Sequence, residues 1–200
     1  MSSATAPGRS RGPYAKTAQR RAEIIAAASR VFAVSGYHGG SLRQISRDLD
    51  LSFTSLLHHF PSKDELLVAV LEDADSAERD AVETDLRERG VVEAMVNLAS
   101  RNLRKPEMLR LVAVLAAEAS SPGHPAHQWF DERYVRLREL LTEAIREDQR
   151  QQRAMSTAEP AQLAAQLIAL WDGLQLQWLI RPQTNMIDLL RTAARGLLDA

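Results

Sequence analysis

The stretch from Ser41 to Leu66, SLRQISRDLDLSFTSLLHHFPSKDEL, packs three helix starts and two helix stops into a short span. Ser41 followed by Gln44 has the spacing of a capping box, which predicts a helix from Leu42 with Leu42, Ile45 and Leu49 on its buried face. That helix stops at Asp48-Leu49-Asp50. Ser52 offers a second N-cap, its oxygen placed for the N–H of Thr54 or Ser55, and Leu56 and Phe60 share one face of the helix that follows. Pro61 lacks an N–H and clashes backward, so it ends that helix. Ser62 caps again, and Asp64 and Glu65 fall in a first turn, where the helix dipole favours negative charge. Two short helices joined by a tight turn make a helix-turn-helix, whose second helix lies in the DNA major groove. The segment from Phe53 to His59 is small and polar enough to sit there.

The motifs Gly36-Tyr37, Ser41-Leu42-Arg43-Gln44-Ile45-Ser46 and Leu57-His58-His59-Phe60-Pro61-Ser62-Lys63-Asp64-Glu65-Leu66 resemble the DNA-binding domain of the TetR family of bacterial repressors. The resemblance covers roughly residues 17 to 70. It departs from the family at three positions. Ser46 stands where alanine is usual, Asp50 where the turn usually has glycine, and Leu57 where a tyrosine often contacts DNA. Aspartate tolerates a left-handed turn better than most residues, so Asp50 is compatible with the fold. Leu57 is either a core residue or an exposed contact in the tyrosine's place.

Phe53, Thr54, Ser55 and His58 are the candidates for base edges, since threonine and phenylalanine can meet a thymine methyl and hydroxyls can bond to bases. Arg43, Ser52, His59 and Lys63 are placed for phosphate, which positions a protein without specifying sequence. Lys63 matches the lysine that contacts backbone phosphate in the family. A solvated helix face accounts for each residue equally well.

Charge supports the head as the part that meets DNA. Residues 1–63 hold nine Lys/Arg against three Asp/Glu, while the whole chain carries 25 against 26, so the remainder is acidic. The absence of cysteine excludes disulfides, thiolate catalysis and cysteine–zinc sites. No apolar run marks a signal peptide, and the longest one, Leu111 to Ala117, is too short to span a membrane, so a soluble cytoplasmic protein is expected.

Residues 1–16, rich in Ser, Ala, Pro and Gly, read as a disordered arm; Arg9, Arg11 and Lys16 suit either a minor-groove contact or a solvated tail. Thr17 can cap a helix to Ser35 with Ile24, Ile25, Ala28, Val31 and Phe32 inward, ended by Gly36. A fourth helix from Lys63 links head to body, with the domain boundary inside it near residue 70. Residues 71–200 read as a helical body: Val91–Leu103, a helix with Pro106 at N1, a long helix from Pro125 to Gln152, Ala158–Ile180 and Asn185–Leu198. The expected fold is all-α, with about nine helices.

The helix from Ala158 to Ile180 is apolar over most of its circumference and so must be buried on two sides. Its stripe Leu163, Leu167, Leu170, Leu174 and Trp178, with Ile187, Leu190 and Ala194 of the last helix, is assigned to a homodimer interface, as in TetR-family dimers. A dimer also suits a palindromic operator, since one helix-turn-helix touches only a few base pairs. Met95, Met108, Trp129, Tyr134, Trp171 and Gln175 are candidates to line a pocket for a small apolar or amphipathic ligand, though ordinary core packing suits the same residues.

The resemblance implies a ligand-released repressor of a palindromic double-stranded DNA operator. The alternative is a DNA-binding regulator with no effector, whose body only dimerises or binds a protein. An enzyme is remote, because no nucleophile elbow, phosphate-cradling loop or HExxH motif appears. No cofactor or metal is expected. His58-His59 and the pair His124/His127 each lack the further ligands that zinc needs.

Overall fold

The computed structural model describes residues 13–199. Among the described residues it comprises helices α1 (Pro13–Gly39), α2 (Leu42–Asp48), α3 (Phe53–His59), α4 (Lys63–Arg89), α5 (Val91–Asn102), α6 (Pro106–Glu118), α7 (His127–Arg150), α8 (Pro160–Ile180) and α9 (Met186–Leu198), with no strand. Arg9 and Arg11 of the expected arm lie outside the described residues, and Lys16 belongs to α1, which starts four residues before Thr17.

Two apolar clusters hold the molecule. The first gathers Ile24, Ala28 and Phe32 of α1, Ile45 of α2, Leu56 and Phe60 at α3, and Leu66, Leu67 and Val70 of α4. It continues without a break into Leu111 and Leu115 of α6 and Trp129 and Phe130 of α7. The proposed boundary near residue 70 therefore divides the chain but not this core. The second cluster fills the far end of the body, from Leu86, Val91 and Met95 to Leu163, Leu167, Leu190 and Ala194.

The ends of these helices follow from local chemistry. Ser52 accepts from the Ser55 N–H at 3.1 Å, and Ser62 from the Glu65 N–H at 3.0 Å, as their spacing predicts. Ser41 occupies the N-cap of α2 with extended backbone, but its side chain makes no capping bond, so the expected Ser41/Gln44 box is not formed. Asp50 takes φ 51° and closes α2 by bonding its N–H to the Arg47 carbonyl, while the Leu51 N–H reaches the Ser46 carbonyl at 2.8 Å. This is the paired arrangement usually completed by glycine. Ser46, 4% exposed, satisfies its hydroxyl on the Arg43 carbonyl at 3.0 Å, which is how the head tolerates it in place of alanine.

Ion pairs tie the lever helix α4 to the body. Arg101 and Lys105 donate to Glu78 at 2.7 and 3.1 Å, and Arg101 also reaches Asp85. Burial raises the Glu78 carboxyl, but its bonds to Lys105 and Arg101 outweigh this and hold it below the usual range. Arg133 of α7 pairs with Asp75 of α4 at 3.0 Å. In the last turn of α7, Asp148 is 2% exposed; it accepts from the Val91 N–H at 2.8 Å, capping α5, and pairs with Arg153 at 2.7 Å.

The structure corrects the assigned dimer stripe. Leu163, Leu167, Leu174, Leu190 and Ala194 are buried in the second cluster of their own chain, and Leu170, Trp178 and Ile187 pack against it half-buried. Because α8 is apolar nearly all round, periodicity alone does not say which of its faces turns inward. The outer face is a different one: Ala165, Ala169, Gly173, Leu176 and Ile180 on α8, flanked by Leu189, Thr192 and Gly196 on α9, all exposed.

Candidate nucleic-acid interface

The first cluster holds α3 by Leu56 and Phe60, which turns the rest of the helix outward. Thr54 and His58 are exposed; Phe53, Ser55, Leu57 and His59 are half-buried. Arg43, from α2, is exposed and places its guanidinium carbon 5.0 Å from the centre of the Phe53 ring. Ser52 is exposed at the helix start, and Lys63 stands half-buried at the start of α4. All nine residues expected at DNA thus keep some surface, on one stretch of α2, α3 and the α4 start.

Two anchors fix this surface and were not anticipated as such. Arg21 of α1 donates to the His59 carbonyl at 2.7 Å and lies 4.1 Å over the Phe60 ring, clamping the end of α3. Tyr37 donates to Asp64 and offers its ring face to the Lys63 ammonium at 4.4 Å. Burial, and then the bond to Asp64, pushes the Tyr37 phenol far above its usual range. Tyr37 reaches this position because α1 kinks at Gly36, whose φ of 69° and ψ of 174° break the helix. The contacting partners lie 26 or more residues away, so only the family motif marked Tyr37 in the sequence.

Burial lowers the His59 imidazole, and the charges of His58, Arg21 and Arg20 add to that. Burial likewise lowers Lys63, partly offset by Asp64.

The histidines read as improbable metal ligands have other contacts. His58 and His59 stack edge to face at 5.9 Å. His124 accepts from the Ala126 N–H at 3.2 Å through Nδ1, and His127 Nδ1 lies 2.7 Å from the Ala119 carbonyl oxygen. Among the described residues, no group of three His, Asp or Glu could hold a metal ion.

Five of the six pocket candidates divide between the two clusters. Met108, Trp129 and Tyr134 pack in the first cluster, while Met95 and Trp171 belong to the second. They packed into separate cores because helical spacing says nothing about which cluster a side chain joins. Two open grooves, of about 410 and 480 Å³, lie near the end of α7, and neither is lined by any of the six. A polar seam lies where α7 meets α8. Tyr134 donates to Asp172 at 2.9 Å, and the Trp171 indole donates to the buried Gln175 at 3.0 Å. Burial, and then the negative charge of Asp172, pushes the Tyr134 phenol up to about 12; burial also raises Asp172, against the opposing bond from Tyr134 and charge of Arg133.

Comparison with known proteins agrees with this architecture. Residues 24–70 match the family described as bacterial regulatory proteins, tetR family, and residues 89–200 match the family described as BetI-type transcriptional repressor, C-terminal. The HTH-type transcriptional repressor AcnR of Corynebacterium diphtheriae is 27% identical over 128 residues, which are 64% of this chain and 62% of that protein. The HTH-type transcriptional regulator RutR of Escherichia coli K12 is 44% identical over 57 residues, 28% of this chain and 26% of that one. The matched region thus spans about three-fifths of the first relative and about a quarter of the second. A transcriptional regulator from Saccharomonospora viridis, solved in complex with choline, shares the fold with a TM-score of 0.72 at 23% identity, covering 90% of this chain and 95% of that one. On a helix-turn-helix head and a BetI-type body, the chain belongs to the TetR family of bacterial transcriptional regulators.

Proposed function

We propose that this chain acts as a homodimeric repressor that holds a palindromic operator and releases it when a small ligand enters the body. The observation that carries the reading is α3, anchored by Leu56 and Phe60 so that Thr54, His58 and their neighbours point outward beside Arg43 and Lys63. Base-reading and phosphate-contacting groups then share one surface. The dimer forms through the exposed strip of Ala169, Gly173, Leu176 and Ile180 with Leu189 and Gly196. The small residues admit close approach and the apolar ones are removed from water.

The ligand site we place at the seam. A regulator crystallised with choline shares the fold, and in this chain Asp172 is a half-buried carboxylate whose hydrogen bond comes from a neutral phenol. A small cation with apolar substituents would meet Asp172, Tyr134 and Trp171 there. Release requires that the ligand bind the operator-competent and released states unequally. The second reading, a regulator without an effector, is favoured by the division of five of the six pocket candidates between two packed clusters.

The test is selection of bound duplexes from a random DNA pool, beside an Arg43→Ala/Lys63→Ala double mutant. An inverted repeat enriched by the wild type and weakened in the mutant supports the operator reading; no enrichment overturns it. Choline and amphipathic amines are then added to the bound operator, and failure of all to release DNA favours the second reading.

A further inference from the structure

The turn between α6 and α7, residues 119–126, adjoins the head: Ala119 and Ala126 are buried in the first cluster, and His124 reaches Tyr37. His124 is nine-tenths buried and sets its ring edge to face against Tyr37, with centroids 5.9 Å apart. The Lys63 ammonium lies over the same Tyr37 ring at 4.4 Å and donates to the His38 carbonyl at 3.3 Å. The phosphate-directed lysine of the head is thus held by an aromatic ring that the body also touches.

His124 is not explained by the turn alone. Its Nδ1 serves the Ala126 N–H, but Nε2 has no hydrogen-bond partner. It faces Glu118 Oε2, a covered and unpartnered oxygen on a side chain otherwise 37% exposed, at 3.6 Å, just beyond a hydrogen bond. Buried polar atoms left unmet cost stability and call for a reason. A small slide of α6 toward the turn would close this pair and hold the His124 ring by its free nitrogen.

We propose that His124 is a positioning residue for DNA binding, acting through Tyr37 to set Lys63 against phosphate, so that the α6–α7 turn passes the state of the body to the head. The proposal rests on the operator reading above. His124 itself touches no DNA in this scheme; its effect is confined to one phosphate contact.

That confinement makes it testable. Each phosphate contact adds about one to the steepness with which affinity falls with salt. Operator affinity is measured across a salt series for the wild type, Lys63→Ala, His124→Ala, the double variant and His124→Phe. Lys63→Ala is expected to lower the salt slope by about one, His124→Ala by most of the same amount, and the double by no more than Lys63→Ala alone. His124→Phe keeps the ring against Tyr37 but loses the acceptor for Ala126, so it should be less stable yet keep the wild-type slope. If His124→Ala loses its helical signal, Tyr37→Leu replaces it with the same expectation. A wild-type slope in His124→Ala, or losses that add in the double variant, overturns the proposal and leaves the operator reading intact. A wild type without salt-dependent operator binding removes the operator reading first, and this one with it.

Discussion

Asp148 shows how one carboxylate can join two distant ends of a body. It accepts from Val91 across 57 residues and neutralises Arg153, with only 2% of its surface exposed. Removing one member of a buried pair leaves an uncompensated charge, so Asp148→Ala should cost about 3 kcal/mol in chemical denaturation. Gly90 beside it has φ 80°, and an added Cβ would meet Asp148 Oδ2 at 2.8 Å, so Gly90→Ala should also destabilise. None of this was legible in the sequence, where Asp148 is one charge among many on a long helix. Asp172 gives the pH counterpart. Its carboxyl is raised in the folded chain, chiefly by burial, so the folded state holds its proton to higher pH than the unfolded state does. Stability should therefore fall as pH rises from the ordinary aspartate value through the raised one. Asp172→Asn should remove that slope in thermal melts taken between about pH 4 and 7.

At the scale of elements, the head was readable because its signals are local. Ser52, Pro61 and Ser62 act within a turn of where they stand, and Asp50 takes the left-handed conformation its place in the turn required. A glycine relieves the steric cost of that conformation, so Asp50→Gly should stabilise the head by up to about 1 kcal/mol without moving α3. The faces of α8 were not readable. With leucine, isoleucine and tryptophan on nearly every side, sequence periodicity could not separate the inward stripe through Leu167 from the outer strip through Gly173. The outer strip permits a clean test. A Cβ built on Gly173 meets nothing within 4 Å, so Gly173→Arg should leave the fold undisturbed while placing a charge in the proposed dimer face. Light scattering should then report a monomer with native helicity, and a retained dimer would move the interface elsewhere.

Across the whole molecule, the first cluster binds Ile24 and Phe60 to Leu115 and Trp129 in one apolar body. Head and body should consequently unfold together. Urea transitions followed by helicity and by tryptophan emission, to which Trp129 in one cluster and Trp171 and Trp178 beside the other contribute, should coincide. Separated midpoints would show that the two clusters melt independently. Such continuity also bears on recombination between relatives. A chimera cut at residue 70 would seat a foreign head on Leu111, Leu115 and Phe130, side chains shaped for Phe32 and its neighbours, and the mismatch would act as a core mutation. Heads of this kind are better transplanted with α6 and the start of α7 attached, so the unit that can be exchanged is larger than the unit that reads DNA.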